Sequence, residues 1–189
     1  KYKNAKYLPA FHSGEEVTTK IGRGAFALYH GNLGVGENNE ASLYLIDVFS
    51  KLDYPLVLAG SDPSKELIKK VSQSKNVNLS SNISFTEMEH LIADAHLNIL
   101  PTFQPTGIKL KLLSALYKGR FCVVNKYMVQ NTGLEDACYE ANTHPEFRKL
   151  VIELMEQEFK LEDLELRKKV LLDKFNNLGN AEKLVDLVF

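Results

Sequence analysis

Apolar residues fall in short unbroken runs, separated by longer stretches with helical spacing. The runs lie at 25–30 (A-F-A-L-Y-H), 55–59 (P-L-V-L-A), 77–79, 96–100 (H-L-N-I-L) and 120–125 (R-F-C-V-V-N). Apolar runs without alternation belong to strands buried on both faces, as in a parallel sheet covered by helices. Between them the spacing predicts helices. One spans 38–52. A second starts at Asp62-Pro63, by the N-cap and first-turn rules. Ser84 and Glu87 form a capping box that opens a third over 85–95. The fourth runs from Ile108 to Gly119, with Leu112, Ala115 and Leu116 on one face and Gly107, Lys111, Ser114 and Lys118 on the other. A turn at Asn131-Thr132-Gly133 precedes a short last strand at 137–140. From Thr143, which pairs with Glu146 in a second capping box, the pattern is helical, with a break at 176–180 and a final helix at 181–188.

This alternation predicts an α/β fold: a doubly wound, Rossmann-like parallel sheet of about six strands in the order 3-2-1-4-5-6, with extra C-terminal helices. In such a sheet a ligand lies beyond the carboxyl ends of the strands. The loops at that edge are 31–36 (G-N-L-G-V-G), 60–62, 82–84 and 102–109. The glycines of 31–36 let a backbone approach a phosphate, and they equally let a helix pack closely on a strand.

The last of these loops draws attention by its charge. Lys109 and Lys111 stand in the first turn of the fourth helix, where the positive end of the helix dipole disfavours a cation by about 0.3–1 kcal/mol. An anion held by the free N–H groups of Thr106, Gly107, Ile108 and Lys109 would reverse that sign. A solvated helix start with lysines pointing to water is the plain alternative.

Composition narrows the field. Net charge is −1, so no broad nucleic-acid or anionic-membrane surface is indicated. No apolar run approaches the ~18 residues of a membrane span. Cys122 and Cys138 sit in apolar surroundings without a CxxC or a His/Cys cluster, which fits reduced core cysteines in a cytoplasmic setting. No metal site is read.

A strand, a Thr-Gly helix start, G-I-K-L-K-L-L-x-A-L-x-x-G and a strand ending V-V-N together resemble the donor-binding half of GT-B glycosyltransferases, in particular retaining family 4. The resemblance runs from about Ala25 to the C-terminus. It implies residues 1–24 as a linker or N-terminal extension and 25–189 as the nucleotide-sugar-binding domain, with an acceptor-binding N-terminal domain missing from these residues. It implies a nucleoside-diphosphate sugar as donor substrate, used without a metal or other cofactor. Donor phosphate contacts are expected from Gly31, Asn32, Thr106, Gly107, Ile108, Lys109 and Lys111, with Lys111 matching the family's lysine. Nucleoside contacts are expected from Asn82, Ser84 and Ser114, although capping alone accounts for Ser84.

The departures are specific. The family's two glutamates fall on Thr106 and Ser114. The arginine and lysine of its first glycine-rich loop fall on Asn32 and near Glu37. The leading expectation is therefore a glycosyltransferase donor domain, inactive alone, cytoplasmic, or held peripherally at a membrane through its missing half. The alternative is a non-catalytic relative serving as an interaction or regulatory module.

Overall fold

The structure, a computed structural model, describes residues 6–104 and 110–188. Six strands form one parallel sheet: β1 (Ala27–His30), β2 (Leu56–Gly60), β3 (Val77–Ser81), β4 (Leu97–Leu100), β5 (Phe121–Val124) and β6 (Tyr139–Glu140). Their order is β3-β2-β1-β4-β5-β6, as the sequence pattern predicts. In the centre Ala27 is in register with both Leu56 and Leu97, and Leu97 with Phe121. Every residue of β1, β4 and β5 is buried, which is why these strands read as unbroken apolar runs.

Eight helices complete the described residues: α1 (Gly36–Phe49), α2 (Lys65–Ser72), α3 (Phe85–Asp94), α4 (Leu110–Lys118), α5 (Lys126–Val129), α6 (His144–Met155), α7 (Leu161–Lys174) and α8 (Asn177–Val188). α1 packs against α2 and α6, and α3 packs against α4. The main core takes Tyr29, Leu45, Phe49, Leu58, Ile99, Leu116, Phe121 and Phe147 among others, while Leu28, Ala59, Ile92 and Ala95 form a smaller cluster under α3. Strands β1 and β2 end very close together. A Cβ on Gly60 would lie 1.7 Å from the Gly31 carbonyl oxygen, so only glycine lets these loops start side by side.

Several boundaries differ from the sequence expectation. α2 is capped by Ser64, whose hydroxyl accepts from the Leu67 amide at 3.1 Å, and not by Asp62. Asp62 has φ of 53°, a left-handed conformation incompatible with the extended backbone of an N-cap. α1 starts at Gly36 and ends at Phe49, and β3 continues through Ser81. Strand 137–140 shrinks to Tyr139–Glu140, preceded by a 3-10 turn at Glu135–Ala137, and α5 was not anticipated. The C-terminal break is at Phe175 and Asn176. Asn180 lies inside α8, buried, with its side-chain amide donating to the Lys174 carbonyl at 3.0 Å. Residues 7–11, read as strand or linker, carry no regular element. Among the described residues, no helix is long and apolar enough to cross a membrane.

Candidate functional site

The carboxyl edge of the sheet gathers the candidate residues. β1 ends in Tyr29 and His30, and successive strand residues point to opposite faces. The Tyr29 hydroxyl donates to Asn38 Oδ1 at 3.0 Å, one turn into α1. Lys111, in the first turn of the described part of α4, reaches across. Its Nζ donates to the same Asn38 Oδ1 at 2.8 Å and to the Tyr29 hydroxyl at 3.1 Å. It also lies 4.8 Å from the centre of the Tyr29 ring, within cation–π range. Asn38 is fixed in turn by its Nδ2, which donates to the Asn32 carbonyl at 2.9 Å. The loop after β1, the start of α1 and the start of α4 are thus one bonded unit with a lysine ammonium at its centre.

A carboxylate stands nearby. Glu37, in the first turn of α1, accepts from the Thr102 hydroxyl. Burial first, and then the charge of Glu37, push the Tyr29 phenol well above its usual range. The phenol therefore stays protonated and keeps both its donor and its acceptor role toward Asn38 and Lys111.

His30 faces the opposite side. It is 5% exposed, and among the described residues its Nε2 has no hydrogen-bond partner. Burial, reinforced by the Lys111 charge, pushes its pKa down to about 3, so the imidazole is neutral. It lines a cavity of about 200 Å³ between α3 and α4, together with Phe85, Met88, Ile92, Leu110 and Ser114. Lys111 also borders this cavity. Lys118, paired with Glu89, borders it further along α4.

The residues expected from sequence divide into four groups. Gly31, Asn32 and Lys111 come together as described. Ser114 is half-buried on the cavity side of α4, its hydroxyl donating back to the Leu110 carbonyl at 3.3 Å. Asn82 and Ser84 hold loops in place. Asn82, with φ of 55°, accepts from the Asp62 amide at 3.2 Å, and the Ser84 hydroxyl accepts from the Glu87 amide at 3.2 Å within a capping box. Thr106, Gly107, Ile108 and Lys109 lie outside the described residues. Sequence reasoning missed Tyr29, His30 and Asn38. The available signal was a strand ending Tyr-His, two polar side chains directly before a glycine-rich loop.

Residues 25–157 match the family described as Glycosyl transferases group 1. The chain belongs to this family. No curated protein sequence matches the chain. Among solved structures, a TarM variant from S. aureus, in complex with Fondaparinux, alpha-GlcNAc-glycerol and UDP, superposes with a TM-score of 0.74 at 14% identity. The match covers 98% of this chain and 40% of TarM. A glycosyltransferase from Rickettsia africae gives 0.63 at 14% identity, over 87% of this chain and 47% of that one. WaaG, a glycosyltransferase involved in lipopolysaccharide biosynthesis, gives 0.62 at 16% identity, over 86% and 46%. At these identities the likeness concerns the fold. The chain spans about half the length of these neighbours, or less.

Proposed function

We propose that this chain is the donor-binding half of a glycosyltransferase that takes a sugar from a nucleoside-diphosphate sugar. In this reading the sugar's anomeric carbon is displaced, the nucleoside diphosphate leaves, and an acceptor is held by a partner domain outside these residues. The task of the donor half is to stabilise negative charge growing on the departing diphosphate. Lys111 carries the reading. It is the residue that matches the family's lysine, and it stands at the carboxyl edge of the sheet, fixed by Tyr29 and Asn38 beside the Gly31–Asn32 turn. A pre-positioned ammonium there meets a diphosphate with little reorganisation. Family membership and the presence of UDP in the similar TarM structure support the same ligand class. No metal is required by this mechanism.

The test is titration calorimetry of the 189-residue chain with UDP, GDP and inorganic diphosphate. Lys111→Ala is expected to weaken all the diphosphates the wild type binds, by roughly 1.5–3 kcal/mol for a charge-assisted bond. Equal affinities in the two proteins would remove Lys111 from the site.

One observation favours a second reading, a non-catalytic interaction or regulatory module. Glu37 places a carboxylate at the same sheet edge, near enough to raise the Tyr29 phenol, where it repels a diphosphate. Absence of binding by UDP, GDP and inorganic diphosphate at millimolar concentration would select this second reading.

A further inference from the structure

We propose that Cys122 and Cys138 form a paired oxidation site. A hydroperoxide reaches Cys138 through the cavity between the 3-10 turn and α7, and the two thiols become a disulfide that ties β6 to β5. The site is independent of the donor-binding reading. It lies at the beginnings of β5 and β6, whereas Lys111 stands at the carboxyl edge of the sheet.

The sheet register carries the proposal. Val123 of β5 is in register with Tyr139 of β6 in a parallel pair. Cys122 and Cys138 each precede one member of that pair, and Cys138 is itself extended, with φ of −129° and ψ of 157°. Both side chains therefore leave the same face of neighbouring chains, at positions about 4.8 Å apart. A disulfide accepts Cα separations of about 4.4–6.8 Å, so the backbone is already within its span. The Cβ atoms have to close by roughly 1 Å. β6 can supply that movement, being two residues long and at the edge of the sheet. Both cysteines are free thiols, and the chain has no others.

Access is unequal, which sets the order of events. Cys122 is fully buried, whereas Cys138 is partly exposed and lines a cavity of about 230 Å³. Exposed Asp136, Tyr139 and Leu166 rim this cavity, so it opens to solvent and admits a molecule as small as a hydroperoxide. Hydrogen bonding to Cys122, and then burial, push the Cys138 thiol well above its usual range, and the charge of buried Arg167 on the same cavity wall opposes them. The pair therefore rests as thiols at neutral pH and reacts slowly, through the small thiolate fraction that Arg167 favours.

The chemistry balances with one hydroperoxide. The Cys138 thiolate attacks the peroxide, an S–O bond forms and the O–O bond breaks. With hydrogen peroxide the leaving hydroxide takes up the thiol's proton as water, and Cys138 becomes a sulfenic acid. The Cys122 sulfur then attacks the Cys138 sulfur. The S–S bond forms, the S–O bond breaks, and the departing hydroxide takes the Cys122 proton as a second water. Two thiols are oxidised by two electrons in all, and one peroxide is reduced. The disulfide closes the loop 123–137, which holds α5 and the Asn131–Gly133 turn, onto β5.

The experiment incubates the folded chain with millimolar hydrogen peroxide for hours and maps its peptides without reduction. A peptide pair joined through Cys122 and Cys138 is expected, with both thiols lost to a maleimide added in urea. The urea midpoint should rise by about 1–2 M, as closing a loop of this length implies, and dithiothreitol should return it. In Cys122→Ala the sulfenic acid has no partner, so dimedone should label Cys138. In Cys138→Ala dimedone should leave Cys122 unlabelled. Two thiols still titratable in peroxide-treated wild type, oxygen added at Cys138 without a cross-link, or a disulfide between two chains on a non-reducing gel overturns the proposal. Equal dimedone labelling of the two variants overturns entry through the cavity at Cys138.

Discussion

At the scale of single residues, charge placement makes the sheet edge distinctive. His30 is held neutral by burial and by Lys111, so its folded-state pKa, about 3, lies far below the ordinary 6.5. Below pH 6.5 the unfolded chain therefore takes up a proton that the folded chain refuses, and stability must fall as pH falls from about 6.5 towards 3. The slope from this one residue reaches about 1.4 kcal/mol per pH unit once the unfolded form is fully protonated. Buried His96, whose pKa is also lowered mainly by burial, adds in the same direction. Urea midpoints at pH 7.5, 6.5 and 5.5 should drop less for His30→Leu than for wild type, because carboxylates and His96 act equally in both. Parallel curves would mean that His30 is protonated in the folded state. None of this was legible in the sequence, where A-L-Y-H reads only as a buried strand. Lys111 was legible because its oddity is local: a cation at a helix start is unfavourable on the spot. The oddity of His30 is the lack of a partner for Nε2, a property of α3, α4 and β1 together.

At the scale of elements, local chemistry decided what could be foreseen. The capping boxes at Ser84 and Thr143 were readable because both partners lie within three residues, and both form. The start of α2 was misread because Asp62-Pro63 has the right residue types, yet Asp62 is drawn into a left-handed turn that bonds to Asn82, twenty residues on. The Ser84 cap also separates two roles for that hydroxyl. It accepts from the Glu87 amide and donates to the Glu87 carboxylate at 2.7 Å, which leaves little for a ligand. Ser84→Ala is accordingly expected to lower the melting temperature by about 2–4 °C, an ordinary loss for an N-cap in a chain of this size, with UDP affinity unchanged. Lost UDP binding at an unchanged melting temperature would instead return Ser84 to the nucleoside site.

At the scale of the whole molecule, the segment that matches the family, 25–157, is smaller than the unit the packing defines. Phe159, Leu171 and Phe175 lie beyond it and are fully buried in the main core. Arg167 of α7 is also buried. Its guanidinium donates to the Gly119 and Arg120 carbonyls at the end of α4 and rests 4.7 Å from the centre of the Phe159 ring. The N-terminal stretch closes the other side. Thr18 donates to the Tyr117 carbonyl at 2.8 Å, Gly22 pairs with Phe159, and the His12 ring bonds the Phe175 carbonyl at 2.7 Å. Tyr117, only 1% exposed, is covered by these pieces and donates its hydroxyl to the Phe175 carbonyl at 2.9 Å. Each buried apolar side chain contributes about 1.5–3 kcal/mol, so losing three of them, with the Arg167 bonds, rivals the ~5–15 kcal/mol that stabilises a whole domain. A chain trimmed to 25–157 is therefore expected to show no cooperative urea transition by circular dichroism, whereas residues 1–189 should show one. A cooperative transition in the trimmed chain, at a midpoint near that of the full one, would mean that the flanking segments decorate an independent core instead of completing it.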